Sequence, residues 1–441
     1  MNDRHMLHVF AKYTLMSVGG MLANSCYILA DTFFVAQGLG TQGLAALNLA
    51  IPVYNFVYGA GLLLGMGGAT RYAVCKSRGD ARGADEAFGY ALGMAAVCSA
   101  VGMLLGVFAS GRLTALLGAS GDVAGMTQTY LQVMLLFSPA FIFNGVLVCF
   151  VRNDGNPRLA MLSTVIGSFS NIVLDYVFIF PLGMGMFGAI FATGLSPVLG
   201  ILVLLPHWFS PRRGFHARRL HPNAGMAGTI VWLGLPAYLA QLSSGVVMIT
   251  FNSIILRLEG STGVAAYGVV ANISLVAAAI YTGLGQGMQP LASRAWGEGK
   301  PQAAHRLLRW AMVAALGVSA ALFLGLFVFA RPVAQVFNSE NDAGLLRIAV
   351  QGLRLYFAGA VFMGANIVFC TYFPAVEHAL PAQVLSLLRG FVLLVPLAFA
   401  MAAAWGMTGV WLTVPVAEAV CTALGCVLYV RSRRRQPALQ K

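Results

Sequence analysis

Three carboxylates lie where a carboxylate is costly. Asp31, Asp175 and Glu418 sit inside long apolar runs, whereas the remaining acids fall in polar connections or at their edges. An ionisable side chain in hydrocarbon must face a partner or water, so it marks a functional position by default. Two of the three bring polar companions at helical spacing. Asn24, Tyr27 and Asp31 recur at i, i+3 and i+7, and Thr164, Ser168, Asn171 and Asp175 at intervals of 4, 3 and 4, so each set shares one helix face. Thr193 adds a hydroxyl from the following run. Two carboxylates, an amide oxygen and a hydroxyl make a hard oxygen site for a monovalent cation such as Na+. The same pair can instead share a proton, since two like charges that close cannot both persist. Glu418, five residues beyond Thr413, stays open between pinning helices and meeting a substrate.

The elements that must position these groups follow from composition. The chain has 441 residues, 59% hydrophobic and 9% charged, with a mean hydropathy of +0.79. Soluble domains carry about 25% charged residues, so the chain is read as an all-α polytopic membrane protein. A helix needs about 20 apolar residues to cross. Such runs fall at 13–37, 45–70, 88–110, 127–151, 160–181, 186–208, 226–257, 264–291, 307–330, 349–373, 383–402 and 407–430. The runs are continuous rather than alternating, which excludes a barrel.

The net charge of +13 is a topology signal. Lys and Arg gather in alternate connections, at 71–82, 152–158, 212–219, 294–309 and the tail from Arg431, with Arg389 counted on the same side. Arg112, Arg257, Arg331, Arg347 and Arg354 fall on the other. By the positive-inside rule both termini are expected in the cytoplasm, which excludes nucleic acid as the partner of these charges. No cleavable signal peptide is visible. The seven cysteines lie mostly within apolar runs with no paired metal-type spacing, and the seven histidines in connections or near run ends. Neither a zinc framework nor a histidine relay is expected.

An internal repeat divides the chain. At an offset of 220 residues, Leu39-Gly-Thr-Gln-Gly-Leu-Ala-Ala46 aligns with Glu259-Gly-Ser-Thr-Gly-Val-Ala-Ala266, Gly65 and Gly67 with Gly285 and Gly287, and Gly79 with Gly299. Gly185-Met-Phe-Gly188 meets Gly406-Met-Thr-Gly409 at offset 221. The expected architecture is two pseudo-symmetric six-helix bundles, 1–208 and 226–441, joined by a cytoplasmic linker over 209–225, twelve spans in all. Parallel repeats of this kind belong to transporters that rock two bundles around a central site. The acids do not repeat: Asp31 corresponds to Phe251, Asn171 to Val392, Asp175 to Pro396 and Thr193 to Val414. Ion coupling is therefore expected in the N-terminal half.

Gly183-Met-Gly-Met-Phe-Gly188 matches a dinucleotide-binding fingerprint in letters, but no βαβ unit surrounds it, and no phosphate-binding loop ends in Gly-Lys-Ser/Thr. No nucleotide or other cofactor is expected, and no nucleophile–base set of an enzyme is present.

In Tyr27-Ile-Leu-Ala-Asp-Thr-Phe-Phe-Val35, Arg152-Asn-Asp-Gly-Asn-Pro157, Ser170-Asn-Ile-Val-Leu-Asp-Tyr-Val-Phe178, Gly185-Met-Phe-Gly-Ala-Ile-Phe-Ala-Thr193 and Pro415-Val-Ala-Glu418, the sequence resembles the multidrug and toxic compound extrusion (MATE) family, particularly its MepA-like bacterial branch. The resemblance covers nearly the whole chain. It implies a monomeric secondary antiporter in the bacterial inner membrane that exports cationic amphiphiles in exchange for H+ or Na+. It also implies that Asp31, Asn171, Asp175 and Thr193 form the ion site. Tyr27, Asn24, Asn144, Ser168 and Glu418 are the candidates for the substrate cavity. One departure is that span one lacks the mid-helix proline of many relatives; Gly19-Gly20 is the flexible element there. A lipid-linked oligosaccharide flippase shares the broad fold, but would call for a cationic central cavity.

Overall fold

Helices here end or turn where glycine lets them. The computed structural model describes residues 3–211, 213–216, 223–338 and 342–435. Part of the expected linker, 217–222, and the end of the basic tail, 436–441, lie outside the described residues. In chain order the helices are α1 (Asp3–Ser77), α2 (Ala81–Phe108), α3 (Ser110–Leu116), α4 (Gly121–Leu136), α5 (Ser138–Asn153), α6 (Pro157–Ile179) and α7 (Gly185–Trp208). The second half contributes α8 (Ala224–Gly297), α9 (Pro301–Val336), α10 (Ala343–Tyr356), α11 (Ala360–Ala375), α12 (Ala379–Leu387) and α13 (Leu394–Arg435).

Three of these are each more than one span. α1 breaks at Gly40 (φ 64°, ψ −158°), α8 at Gly260 (φ 63°, ψ −154°) and α13 at Gly406 (φ 55°, ψ −134°). Positive φ is cheap only for glycine, so the chain reverses direction there without leaving helix on either side. Gly40 and Gly260 are 220 residues apart, so the sequence repeat is also a repeat of backbone angles. α4 and α5 form one span bent by 49°. Pro139, at the start of α5, cannot donate to the carbonyl of Leu135 and so releases the helix at the bend. α10 and α11, and α12 and the first part of α13, likewise make one span each, giving twelve spans among the described residues. Span four thus starts earlier than its hydropathy suggests, at Gly121, and span ten covers Ala343–Ala375.

Arg389 departs from its sequence assignment. It lies in a π-helical turn, Leu388–Val392, within span eleven rather than in a connection, and its side chain is 16% exposed. It is therefore not one of the orienting charges.

Two apolar cores form, one from residues between Val35 and Ile230, the other from residues between Phe251 and Cys421. The first turns of each half cross over: Met6 and Phe10 pack into the second core, Met226 and Ile230 into the first. The two halves meet closely at the end that carries Arg71–Arg82. A Cβ on Gly67 would lie 2.0 Å from the Ile230 carbonyl oxygen, and one on Gly234 1.9 Å from that of Leu63. A Cβ on Gly287 would fall 2.5 Å from Thr14 Cα. Gln289 ties the same end together, donating from Nε2 to Thr70 Oγ1 at 2.8 Å and accepting from Asn153 Nδ2 at 3.0 Å.

An ion-pair clamp completes this contact. Glu377 accepts from Arg71 Nη1 at 2.5 Å and Arg78 Nη2 at 2.7 Å, joining the α11–α12 turn to the end of α1. Among the described residues Glu377 alone has positive φ (59°) without being glycine. Its counterpart in the first half, one residue before the helix that follows the turn is capped, is Gly155 (φ 95°). The second half accepts a strained backbone at this turn, and the side chain it gains there reaches the other half.

The first-half turn uses its acid differently. The Asp154 side chain is fully buried and accepts from Tyr72, from Lys76, from His207 Nε2 at 2.8 Å and from the Gly214 N–H at 2.9 Å, fastening the linker to the bundle. Burial would raise its pKa, but these hydrogen bonds from His207, Lys76, Tyr72 and Gly214 outweigh it and hold the pKa at about 2. A pKa depressed by folding stabilises the fold above the ordinary carboxylate range and ceases to do so as pH falls through the folded value.

Two outcomes are expected. Asp154→Asn costs about 2 kcal/mol at neutral pH, seen as a lower melting temperature in detergent. That deficit narrows as the pH is lowered from about 5 towards about 3; a constant deficit would show that the carboxylate charge is not what holds the linker. Gly234→Ala overpacks the contact between halves at a cost of about 1–3 kcal/mol. In a background without native cysteines it should reduce disulfide capture between Thr70→Cys and Gln289→Cys several-fold; unchanged capture would contradict the close approach.

Candidate functional site

The acid pair is assembled by three helices that pack through small residues. Ser163 Oγ donates to the Gly200 carbonyl at 2.8 Å and Ser196 Oγ to that of Gly167 at 2.7 Å, drawing α6 and α7 together. Span one lies against α6 at Gly20, where a Cβ would stand 3.6 Å from Thr164. The polar stripes of span one and α6 consequently face each other. Asp31 is 7% exposed, Thr193 3%, and Asn171 and Asp175 are fully buried.

Asp31 and Asp175 approach within hydrogen-bonding reach of each other. Two ionised carboxylates would repel at that separation, so the arrangement calls for a proton or a cation between them. The Asn171 amide, oriented so that both its ends are satisfied, donates to Asp175 Oδ2 at 3.0 Å and accepts from the Thr193 N–H at 3.2 Å. One oxygen of each carboxylate, Oδ1 of Asp31 and Oδ1 of Asp175, is buried without a partner. Pro197, four residues after Thr193, has no N–H, which leaves the Thr193 carbonyl free of its helical bond at this point. The four residues singled out by sequence pattern are thus brought together.

Beside the cluster, toward the Arg-rich end, lies a cavity of about 80 Å³. Asn24, Tyr27, Asn144 and Ser168 line it, and Thr193 joins it to the acids. Its middle is aromatic, which the sequence reading did not pick out. Tyr54 stacks on Tyr58 with ring centres 5.8 Å apart, stands edge-on to Phe141, and meets the Tyr27 hydroxyl at 2.8 Å. The Tyr54–Tyr58 spacing of four, two phenols on one face of span two, is the signal that could have revealed it.

Glu418 is placed elsewhere. Its Oε1 accepts from Arg389 Nη2 at 2.5 Å and Nε at 3.1 Å, and its Oε2 from Asn366 Nδ2 at 2.5 Å. This carboxylate is neutralised and fully engaged within the second half, and it does not line the cavity. Of its two open roles, the geometry favours joining helices. Where the first half has Asp31, the second has Phe251, fully buried and stacked on Tyr267 at 5.5 Å. Val392, opposite Asn171, points out of the protein at 61% exposure. Gly183 and Gly185, both with φ of 59°, form the loop and start of α7, so the glycine fingerprint is a helix entry.

Comparison with known proteins agrees with this architecture. The MatE family model matches residues 17–177 and 236–400, one match in each half. Multidrug export protein MepA of Staphylococcus saprophyticus is 24% identical over 424 residues, covering 96% of this chain and 93% of the relative. A MOP superfamily transporter from Pyrococcus furiosus, described as having a binding pocket of reverse polarity that suggests a different function, superposes with a TM-score of 0.88 at 26% identity. It covers 98% of this chain and 96% of its own. A multidrug resistance MATE family transporter in an outward-facing conformation gives a TM-score of 0.89 at 26% identity, with the same coverage. Twelve spans among the described residues, in two repeated halves matched by that family model in both and by these structures throughout, mean that the chain belongs to the MatE family of membrane transporters.

Proposed function

We propose that the protein is a secondary multidrug efflux antiporter of a bacterial inner membrane, with both termini cytoplasmic, exporting cationic amphiphiles in exchange for H+ or Na+. The observation that carries this is the facing pair Asp31 and Asp175, held by Asn171 beside Thr193, with two carboxylate oxygens lacking partners. A site of this kind is completed by a monovalent cation or a proton and is left under-satisfied without one. The name of the relative from Staphylococcus supports the drug-export reading. Lys and Arg concentrated on one face support the orientation.

On this reading the Arg-rich end is cytoplasmic, and the close contact of the two lobes there makes the described state outward-facing. Occupancy of the acid pair by the external ion lowers its negative charge by one and weakens its hold on a cationic cargo. Each occupant therefore favours release of the other, which is the condition for exchange. The Gly40 and Gly260 turns close each lobe's first two spans on the opposite face, leaving the lobes free to pivot about the glycine contacts. The lipid-linked oligosaccharide flippase is disfavoured because the charges facing each other inside the N-lobe are acidic.

Efflux of a fluorescent cation from proteoliposomes, under an imposed pH gradient and then a sodium gradient, tests the reading. Wild-type protein is expected to respond to one of them, and Asp31→Asn and Asp175→Asn each to lose about 90% or more of that response, as expected for a group required in the cycle, while still inserting in the membrane. Efflux driven by neither gradient, or wild-type rates in both variants, would refute it.

A further inference from the structure

Arg152 is a buried cation in the N-lobe, and no described residue answers its guanidinium. It closes α5 within the last turn, is 7% exposed, and lines the cavity that holds Tyr27, Tyr54 and Tyr58. No hydrogen bond or ion pair joins its guanidinium to any described residue. The acids that could do so are committed elsewhere. Asp154, two residues on, is taken by Tyr72, Lys76, His207 and Gly214, Asp31 and Asp175 face each other, and Glu86 pairs with Arg82. The ionisable side chains next to Arg152 are Tyr58 and Cys149. The carbonyl end of α5 favours a cation there through its dipole, but it occupies none of the five guanidinium N–H donors.

The surroundings are those of a site lacking its ligand. Asn144 and Gln286 line the same cavity, and each has a buried side-chain oxygen without a partner. Either amide turns to donate, and the Tyr58 hydroxyl donates as it stands. Asn144 and Arg152 are eight residues apart on one helix, about 12 Å along its axis, on the face that Val148 and Cys149 share. The stacked Tyr54 and Tyr58 rings lie across from this wall. Gln286 comes from span eight of the other lobe, so an occupant would touch both.

We infer that Arg152, with Tyr58, Asn144 and Gln286, forms an anion-binding subsite at the Arg-rich end of the N-lobe cavity. It takes a carboxylate-type anion, either the acidic group of an aromatic cargo that also carries a positive charge or a free small anion. The inference rests on reading this cavity as the cargo site and adds to it a second polarity. A zwitterion with an aromatic body would place its anionic group on the guanidinium and its rings against the tyrosines. A simple cation would meet repulsion from Arg152.

The test is equilibrium binding of two dyes to purified protein, a carboxylate-bearing rhodamine and its methyl ester, followed by fluorescence anisotropy. Binding is measured rather than transport, so a protein that exports nothing still reports on the subsite. Arg152→Gln is expected to weaken the carboxylate dye about tenfold, the scale of one charge-assisted hydrogen-bond pair, and to tighten the ester. Arg152→Lys is expected to keep the wild-type order of the two dyes, which separates loss of charge from loss of packing. Chloride replacing gluconate distinguishes the sources. If the cargo's own carboxylate fills the subsite, chloride weakens the carboxylate dye in wild type but not in Arg152→Gln. If a free anion fills it, chloride tightens the ester in wild type alone. Parallel shifts of both dyes in Arg152→Gln, or no shift in either, would overturn the inference.

Discussion

A charge within the membrane has to find its counterpart inside the protein, and the layout of this chain follows from that. The cost of an unpaired ion in hydrocarbon exceeds what one helix contact returns. The protein answers the cost in different ways at different depths. Glu418 is closed off, with Arg389 and Asn366 filling both oxygens, so it binds α11, α13 and the π-turn together and has no capacity for a visitor. Asp31 and Asp175 are set against each other, which no permanent partner resolves. The first arrangement is finished without any ligand and the second is not. That difference in satisfaction, rather than burial as such, separates the two arrangements.

The same economy appears in the turns that join the halves. The repeat places a positive-φ residue before the helix after span four and again after span ten. The first half puts glycine there and uses the neighbouring Asp154 to hold its own linker. The second half puts Glu377 there and spends its carboxylate on Arg71 and Arg78 across the divide. One ancestral turn thus serves attachment in one copy and closure in the other. The contact it completes is built from glycine against backbone, at Gly67 and Gly234. Such contact buries little side chain and has no interlocking knobs to disengage, which suits two bodies that must part and meet again.

Much of this was legible in the sequence because membrane helices are simple to read. Apolar runs, the 220-residue offset and the helical spacing of Asn24, Tyr27 and Asp31 each rest on one regularity, and the structure preserves all of them. What hydropathy could not show is where a helix bends without a polar break, as between α4 and α5 at Pro139. It also could not distinguish a basic residue in a connection from one a few turns inside a span. By sequence position Arg389 and Arg152 both read as orienting charges, yet one faces Glu418 and the other a cavity. Side-chain direction decides that, and direction depends on which face the neighbouring helices cover. Glu418 was ambiguous for the same reason, since its partner lay hidden in a π-turn that shifts the register of span eleven by one residue.

The asymmetry between the halves now has a physical sense. Both inherited the same helices and the same glycine turns, but the second filled its equivalent of the acid site with Phe251 stacked on Tyr267 and neutralised its one deep carboxylate. On the proposed antiporter reading, an ion that binds or leaves changes the charge of one half only. The other remains electrostatically constant through the cycle and can act as the surface against which the first moves. A second titrating site in the C-lobe would have required two occupancy changes to agree before the lobes could exchange contacts. On the same proposed reading, with a single site the state of Asp31 and Asp175 alone would set the bias, and the contact at Gly67 and Gly234 would need only to be weak enough to yield to it.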